Sequence, residues 1–331
     1  MTIPHPTQHC MKAWVCHGYG GPNVLELEER PLPVPGDNEI LVQVRATTVT
    51  SGDVRVRTLH LPRGFGLIGR LAIGLTGPRQ PILGTELAGT VKAVGKKVTT
   101  FKTGDAVIGF PGAAMGGHAQ YQVLSIHRPV ILKPPHLSFE EAVSLPFGGM
   151  TALHFLRKAQ LKVGDQVLVI GASGAVGSAM VQLATHMGAI VTAVTSGGNA
   201  GLVRSLGASA VIDYTVQDFT KAPESYDIIA DTVGARSFSA CCPVLKEHGR
   251  YLSVAGGLSD LLARPRGSKK SMGGPAPEKP DDLRELIRLA AMGVLKPVID
   301  RTYTFAQLPQ AHAYVETGRK RGSVVVTVQQ D

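Results

Sequence analysis

From Gln166 to Gly188 the chain reads QVLVIGASGAVGSAMVQLATHMG, an apolar β-branched run, a glycine-rich turn and a helical stretch in direct succession. Few folds accept that order. A strand buried on both faces must be left through a tight turn, and glycine is the residue such a turn demands. The helix that follows starts with backbone N–H groups that have no intrahelical partner, a ready seat for a phosphate. In the GxGxxG frame the three positions are Ala172, Gly174 and Gly177, and Gly171 can supply the turn displaced from Ala172. Gly174 then lets backbone approach a pyrophosphate and Gly177 lets helix and strand touch, so the segment is expected to bind a dinucleotide.

The surrounding pattern agrees. Strand Val167 to Ile170, helix Val176 to Met187, strand Ile190 to Thr195, helix Ala200 to Leu206 and strand Ala210 to Asp213 alternate, followed by strand Ile228 to Asp231, helix Phe238 to Leu245 and strand Gly249 to Val254. Such alternation predicts an α/β doubly wound Rossmann domain around a parallel sheet. Helical spacing also appears in Ser138 to Leu145 and Thr151 to Leu161. The first third is different, with short β-branched runs such as Ile40 to Val44, Leu87 to Val94 and Ala106 to Phe110 between Gly, Pro and Asp turns, which predicts a barrel-like β-rich unit. Residues Leu258 to Pro280, rich in Gly, Pro, Ser, Lys and Arg, read as a mobile loop before a helix from Asp281 to Met292. A last helix, Phe305 to Thr317, precedes the β-branched strand Ser323 to Val328, which most easily completes the first unit's sheet and makes that unit discontinuous.

The end of the second strand bears on the cofactor. An NAD site places a carboxylate there to accept from the ribose 2′-hydroxyl, whereas this chain has Thr195-Ser196-Gly197-Gly198-Asn199. Ser196 and Asn199 can donate to a 2′-phosphate, and Arg204 or Arg319 can supply a cation, so NADPH is expected over NADH.

Length and composition narrow the rest. At 331 residues the chain exceeds one ordinary core, and 44% hydrophobic with 18% charged residues excludes global disorder. No run approaches the roughly 20 apolar residues of a membrane span. The opening MTIPHPTQHCMKAW lacks an apolar signal core, so a cytoplasmic address is expected. Cys10, Cys16, Cys241 and Cys242 lack zinc-ligand spacing and read as free thiols. The net charge of +9 is mostly scattered, and its two concentrations, RPRGSKK from Arg264 and RKR from Arg319, have no interleaved aromatics, so no nucleic-acid partner is expected.

Several segments, in order, carry a family likeness: MKAWVCHGYGGPNVLELEERPLP, GTELAGTVKAVGKKVTTFKTGDAVIG, GGHAQYQV, ASGAVG, LVRSLGASAVIDY, DTVG and GRKRGSVVVTV. The chain resembles the medium-chain dehydrogenase/reductase superfamily, in its zinc-free quinone oxidoreductase-like (zeta-crystallin-like) branch. The resemblance implies a discontinuous GroES-like catalytic domain (residues 1–130 and 297–331) and a Rossmann domain for NADPH (131–296). It places Thr151, Ser173, Gly174, Ala175, Val176, Ser196, Tyr214, Val233, Ala255, Gly256 and Arg319 at the cofactor, with Tyr214 beside the adenosine, and Gly177 and Asn199 join them from the reading of the turn and the second strand. It implies a homodimer. Zinc-containing members carry Cys near the position of Thr50, His at that of Thr85 and a four-cysteine lobe after Val98. Threonine replaces neither ligand, so no metal is expected although Asp53 and Glu86 are retained. Thr50 also departs from the Asn common in quinone-reducing relatives, and Gly198 from the Arg or Lys common beside the 2′-phosphate.

Without a metal, hydride delivery requires an acceptor already poor in electrons, which points to a small hydrophobic quinone or α,β-unsaturated carbonyl. Thr50 is expected to donate to its oxygen and His118, in the Gly116-Gly117-His118 turn, to supply a proton. The apolar segment Phe65 to Leu75, flanked by Arg63 and Arg79, is expected to wall the substrate site or touch a membrane surface. The same architecture also serves alcohol dehydrogenases, enoyl-thioester reductases, crystallin-like NADPH-binding proteins and RNA-binding relatives.

Overall fold

The computed structural model describes residues 10–61, 64–221 and 225–329; Arg63 and residues 1–9 of the opening lie outside the described residues. Strands β1 (Cys10–Cys16), β2 (Leu25–Pro31), β3 (Glu39–Val49), β4 (Leu87–Val94), β5 (Ala106–Gly109), β6 (Tyr121–Ser125) and β7 (Val130–Leu132) fill the first part. Strands β8 (Gln166–Ile170), β9 (Ile190–Thr195), β10 (Ala210–Asp213), β11 (Tyr226–Asp231), β12 (Leu245–Ser253) and β13 (Lys270–Gly273) fill the second, and β14 (Ile299–Thr304) and β15 (Ser323–Thr327) close the chain.

Two sheets organise the molecule. The GroES-like one runs β14-β15-β3-β4-β5-β7, with β6 also paired to β3. Its late strand enters as the sequence suggests, Val324 to Thr327 aligning antiparallel with Val49 to Ala46. The core of this unit gathers Ile40, Val42, Val44, Leu87, Val91, Val107 and Val324 from alternate positions of neighbouring strands.

The Rossmann sheet runs β10-β9-β8-β11-β12-β13 and is parallel throughout. In β8 Val167 and Val169 face one layer while Leu168 and Ile170 face the other, and all four are buried. A strand with no solvent face is what a continuous apolar run encodes. Helices Ala175–His186, Pro146–Lys158 and Pro280–Ala291 cover one side. Gly148 lets two of them meet, since a Cβ there would lie 2.4 Å from the Ala175 carbonyl oxygen.

Three expectations change. Residues 258–280 are no mobile loop: they hold the helix Leu258–Leu261 and strand β13, whose Lys270 to Gly273 pair with Arg250 to Ser253. The unpaired edge of β12 supplies the bonds that a weak strand sequence could not demand by itself. The helix at Phe238 ends at Cys241 and becomes a 3₁₀ turn over Cys242–Val244, because Pro243 lacks the N–H a continuing helix needs. The two helical stretches after Leu137 are Phe139–Val143 and Pro146–Lys158, the second starting earlier than its spacing predicts because Pro146 suits a first helical position. The apolar segment is a helix, Gly66–Ile73, with Ile68, Leu71 and Leu75 more than half exposed, so it covers little of the core. Among the described residues no helix is long and apolar enough to cross a membrane.

Candidate active site

The glycine turn sits at the carboxyl end of β8, the edge of a parallel sheet where ligands collect. Gly171 has φ +77°, a conformation closed to most side chains, and so supplies the turn that Ala172 does not. A Cβ on Gly177 would lie 2.1 Å from the Gly171 carbonyl oxygen, so only glycine allows this helix to approach its strand. At Gly174 the nearest atom to such a Cβ is 3.5 Å away. That glycine is therefore not required by the protein's own packing, and the space beside it opens on a cleft it lines.

The outer cleft is lined by Ser173, Gly174, Ser196, Asn199, Tyr214, Val233 and Arg319, all expected at the cofactor, and by Arg236, Lys320 and Arg321. No carboxylate lines it among the described residues. The Ser173 hydroxyl accepts from Thr195 Oγ1 at 3.0 Å and from Asn199 Nδ2 at 3.1 Å, and the same amide reaches Ser196 Oγ at 3.1 Å. Asn199 Oδ1 is buried with no partner among the described residues. The basic tail reaches this cleft because Gly322 N–H donates to the Ser173 carbonyl at 2.7 Å, which pins Arg319, Lys320 and Arg321 beside the glycine turn. Arg204 is not among the lining residues. Asp231 shapes the opposite rim by accepting from the N–H groups of Val233, Gly234 and Arg236.

An inner cavity of about 290 Å³ lies between the two sheets. Thr151, Val176 and Ala255 line it, with Phe110, Phe147, Met150 and Phe155 as its apolar walls and Arg55, Thr85 and Glu278 as polar points. Thr151 Oγ1 donates to the Phe147 carbonyl at 2.7 Å. Ala175 and Gly177 line neither space and act through the helix start. Gly256 has a packing role, since a Cβ there would lie 2.1 Å from Ser253 Oγ.

The two expected catalytic residues are not presented to this cavity. Thr50 caps helix Ser51–Thr58, and its hydroxyl donates to Asp53 Oδ2 at 2.6 Å while accepting from Asp53 N at 3.1 Å. The wall in front of it is Ser51, Gly52 and Thr85. His118 has no exposed surface; its Nε2 lies 2.9 Å from the Thr48 carbonyl and its ring meets His312 edge-on. Burial holds its pKa below the ordinary value, so it is neutral, enclosed and unsuited to passing a proton to the cavity.

The retained carboxylates are committed as well. Asp53 accepts from Thr50 N, Thr50 Oγ1 and Gly84 N; Glu86 accepts from Thr48 Oγ1 at 2.5 Å and Phe147 N at 2.7 Å. Burial pushes Glu86 up to about 8, against the stabilising effect of those two donors. Two hydroxyls and two saturated carboxyls do not fit a zinc ion. Among the described residues the one His/Cys/Asp/Glu group with metal spacing is His17, Glu26 and Glu28, near the surface on and beside β2.

Comparison with known proteins agrees with this geometry. Residues 206–326 match the family described as zinc-binding dehydrogenase, and residues 36–135 match the alcohol dehydrogenase GroES-like domain. The chain is 32% identical to the 2-methylene-furan-3-one reductase of Solanum lycopersicum over 96% of its own length and 79% of that protein. The chain belongs to the medium-chain dehydrogenase/reductase superfamily, in its quinone oxidoreductase-like branch. Another member, the chloroplastic NADPH-dependent alkenal/one oxidoreductase of Arabidopsis thaliana, is 31% identical over 96% of this chain and 79% of its own. The solved structure of the quinone oxidoreductase from Coxiella burnetii superposes with a TM-score of 0.86 at 29% identity, covering 97% of this chain and all of that one. As a member of this branch the chain is an oxidoreductase that uses a nicotinamide dinucleotide, and the open space beside Gly174 fits that group.

Within the superfamily frame, sequence reasoning missed Arg55, Arg236, Lys320, Arg321 and Glu278. Arg55 carried a signal, because Thr50-Ser51-Gly52-Asp53 is a capping box that starts a helix and puts Arg55 on its second turn. Glu278 carried none: it follows Gly274-Pro275-Ala276-Pro277, and only the fold shows its carboxylate accepting from Ala113 N at 2.7 Å and Arg128 at 2.6 Å.

Proposed function

We propose that this chain is a zinc-independent, NADPH-dependent reductase of small quinones or α,β-unsaturated carbonyls. NADPH supplies the hydride that adds to the electron-poor carbon of the acceptor. The residues first assigned to the cofactor divide its length between them. Ser173, Gly174 and the helix start at Ala175, Val176 and Gly177 take the pyrophosphate. Ser196, Asn199 and Tyr214 take the adenosine end, and Thr151, Val233, Ala255 and Gly256 shape the path of the nicotinamide end.

The observation that carries the cofactor preference is an outer cleft with Arg236, Arg319, Lys320 and Arg321 on its walls and no carboxylate among its lining residues. A 2′-phosphate gains from that field and a bare ribose does not. The acceptor reading rests on the apolar inner cavity and on relatives whose names state alkenal/one and quinone reduction. The aromatic walls exclude water and hold a flat conjugated acceptor in place. Among the described residues the cavity is lined by no His, Cys, Tyr or Lys, and its carboxylate, Glu278, is held by Ala113 N and Arg128, so solvent returns the proton.

The test is oxidation of NADPH and NADH at matched concentration against quinones, enones, enoyl-thioesters and aldehydes, with and without chelator. Turnover of a quinone or enone with NADPH, unchanged by chelator, is the expected result. Turnover confined to aldehydes and lost in chelator would overturn the reading.

A further inference from the structure

Arg55 is a charged group that the protein leaves uncompensated. It lines the inner cavity from helix Ser51–Thr58 and makes no hydrogen bond or ion pair among the described residues. Its neighbour on the same helix, Arg57, shows what a structural arginine looks like here: it is wholly buried and satisfied by Gly20 O, His312 Nδ1 and Glu316. The single carboxylate lining the cavity among the described residues, Glu278, is already taken by Arg128 and by Ala113 N. Much of the remaining wall is apolar, including Phe110, Phe147, Met150 and Phe155.

Burial holds the Arg55 guanidinium below its ordinary pKa with no opposing charge to restore it, yet arginine stays protonated at any physiological pH. Keeping an unpaired cation against aromatic walls is costly unless a ligand brings the counter-charge. Its planar fork matches an oxygen anion in two parallel hydrogen bonds.

We propose that Arg55 is the anion-recognising residue of the substrate site, pairing with a negatively charged substrate oxygen. Two sources share that chemistry. The oxygen is either a carboxylate the acceptor carries beside its conjugated system, or the acceptor's own carbonyl oxygen as hydride addition moves an electron pair onto it. The second source rests on the reductase reading above and the first does not.

Arg55→Gln and Arg55→Lys separate these cases. Because Arg55 holds no partner among the described residues, neither variant melts below the wild type and both keep its NADPH affinity. Loss of a charge-assisted pair weakens the affected step by about 10- to 100-fold in the Gln variant, with the Lys variant intermediate. For a carboxylate in the ground state, KM rises for enones bearing a carboxylate while kcat and all neutral acceptors hold. For a developing oxyanion, kcat falls for neutral and carboxylated acceptors alike. Calorimetric titration with benzoate adds a readout without turnover: binding to wild type and loss in Arg55→Gln supports the site even if no quinone or enone is reduced, which would retire the reductase reading alone. Unchanged kcat, KM and benzoate affinity in Arg55→Gln overturn the proposal.

Discussion

The glycine turn offers a test that separates packing from ligand binding at two positions three residues apart. In Gly177→Ala the new methyl would sit 2.1 Å from the Gly171 carbonyl oxygen and 2.7 Å from the Ala172 Cα. Both are backbone atoms, so the helix must move off its strand. Overpacking of this kind costs about 1–3 kcal/mol. For a unit of this size that lowers Tm by roughly 2–12 °C. In Gly174→Ala the methyl meets nothing nearer than 3.5 Å and the backbone is extended, φ −76° and ψ 176°, so alanine fits. Its loss as a helix cap and its gain from a stiffer unfolded chain nearly cancel, leaving stability within about 1 kcal/mol. The same methyl stands where the pyrophosphate must approach the backbone. Losing one charge-assisted hydrogen bond there weakens NADPH by about 10- to 100-fold. Scanning calorimetry reads the first effect and quenching titration with NADPH the second. A Gly174→Ala protein that melts early yet binds NADPH normally would refute the assignment of that space to the cofactor.

Other outcomes follow from the same geometry. Arg319→Ala and Arg236→Ala should each weaken NADPH about 5-fold, the scale of one exposed ionic contact, and leave NADH unchanged; equal effects on both cofactors would place the 2′-phosphate elsewhere. Glu278→Ala removes the acceptor shared by Ala113 N and Arg128, and should lower stability by about 1–3 kcal/mol and raise KM by freeing the cavity wall, as read by calorimetry and steady-state kinetics. His118 and His312 are wholly buried with pKa values held below 6.5 by desolvation, so the unfolded chain binds more protons once pH falls under that value. Stability is then lost as pH drops below about 6.5, and the double variant His118→Gln with His312→Gln should flatten that limb of the Tm profile.

Much of this was legible in the chain. The run QVLVI followed by GASGAVG set a doubly buried strand and its turn, because a strand without a polar face and a turn without side chains leave little choice. Ser323 to Thr327 announced its return to the first sheet through its β-branched composition. What stayed hidden depended on distant partners. Lys270 to Gly273 has no strand signal of its own and pairs because β12 offers an edge. Residues Thr50 and His118 carry chemistry in their residue types, but a capping box absorbs one and a closed interior takes the other. Arg319 was expected at the cofactor, but Lys320 and Arg321 were not, and their place at the cleft depends on one bond between Gly322 and Ser173.

Hydride transfer to the conjugated carbon is tested with NADPH deuterated at both C4 positions, reacted with a simple enone in chelator-treated buffer, the product being examined by NMR. One deuterium at the β-carbon of a saturated ketone and a solvent proton at the α-carbon are expected. Deuterium on the carbinol carbon of an allylic alcohol, or a product without deuterium, would contradict it.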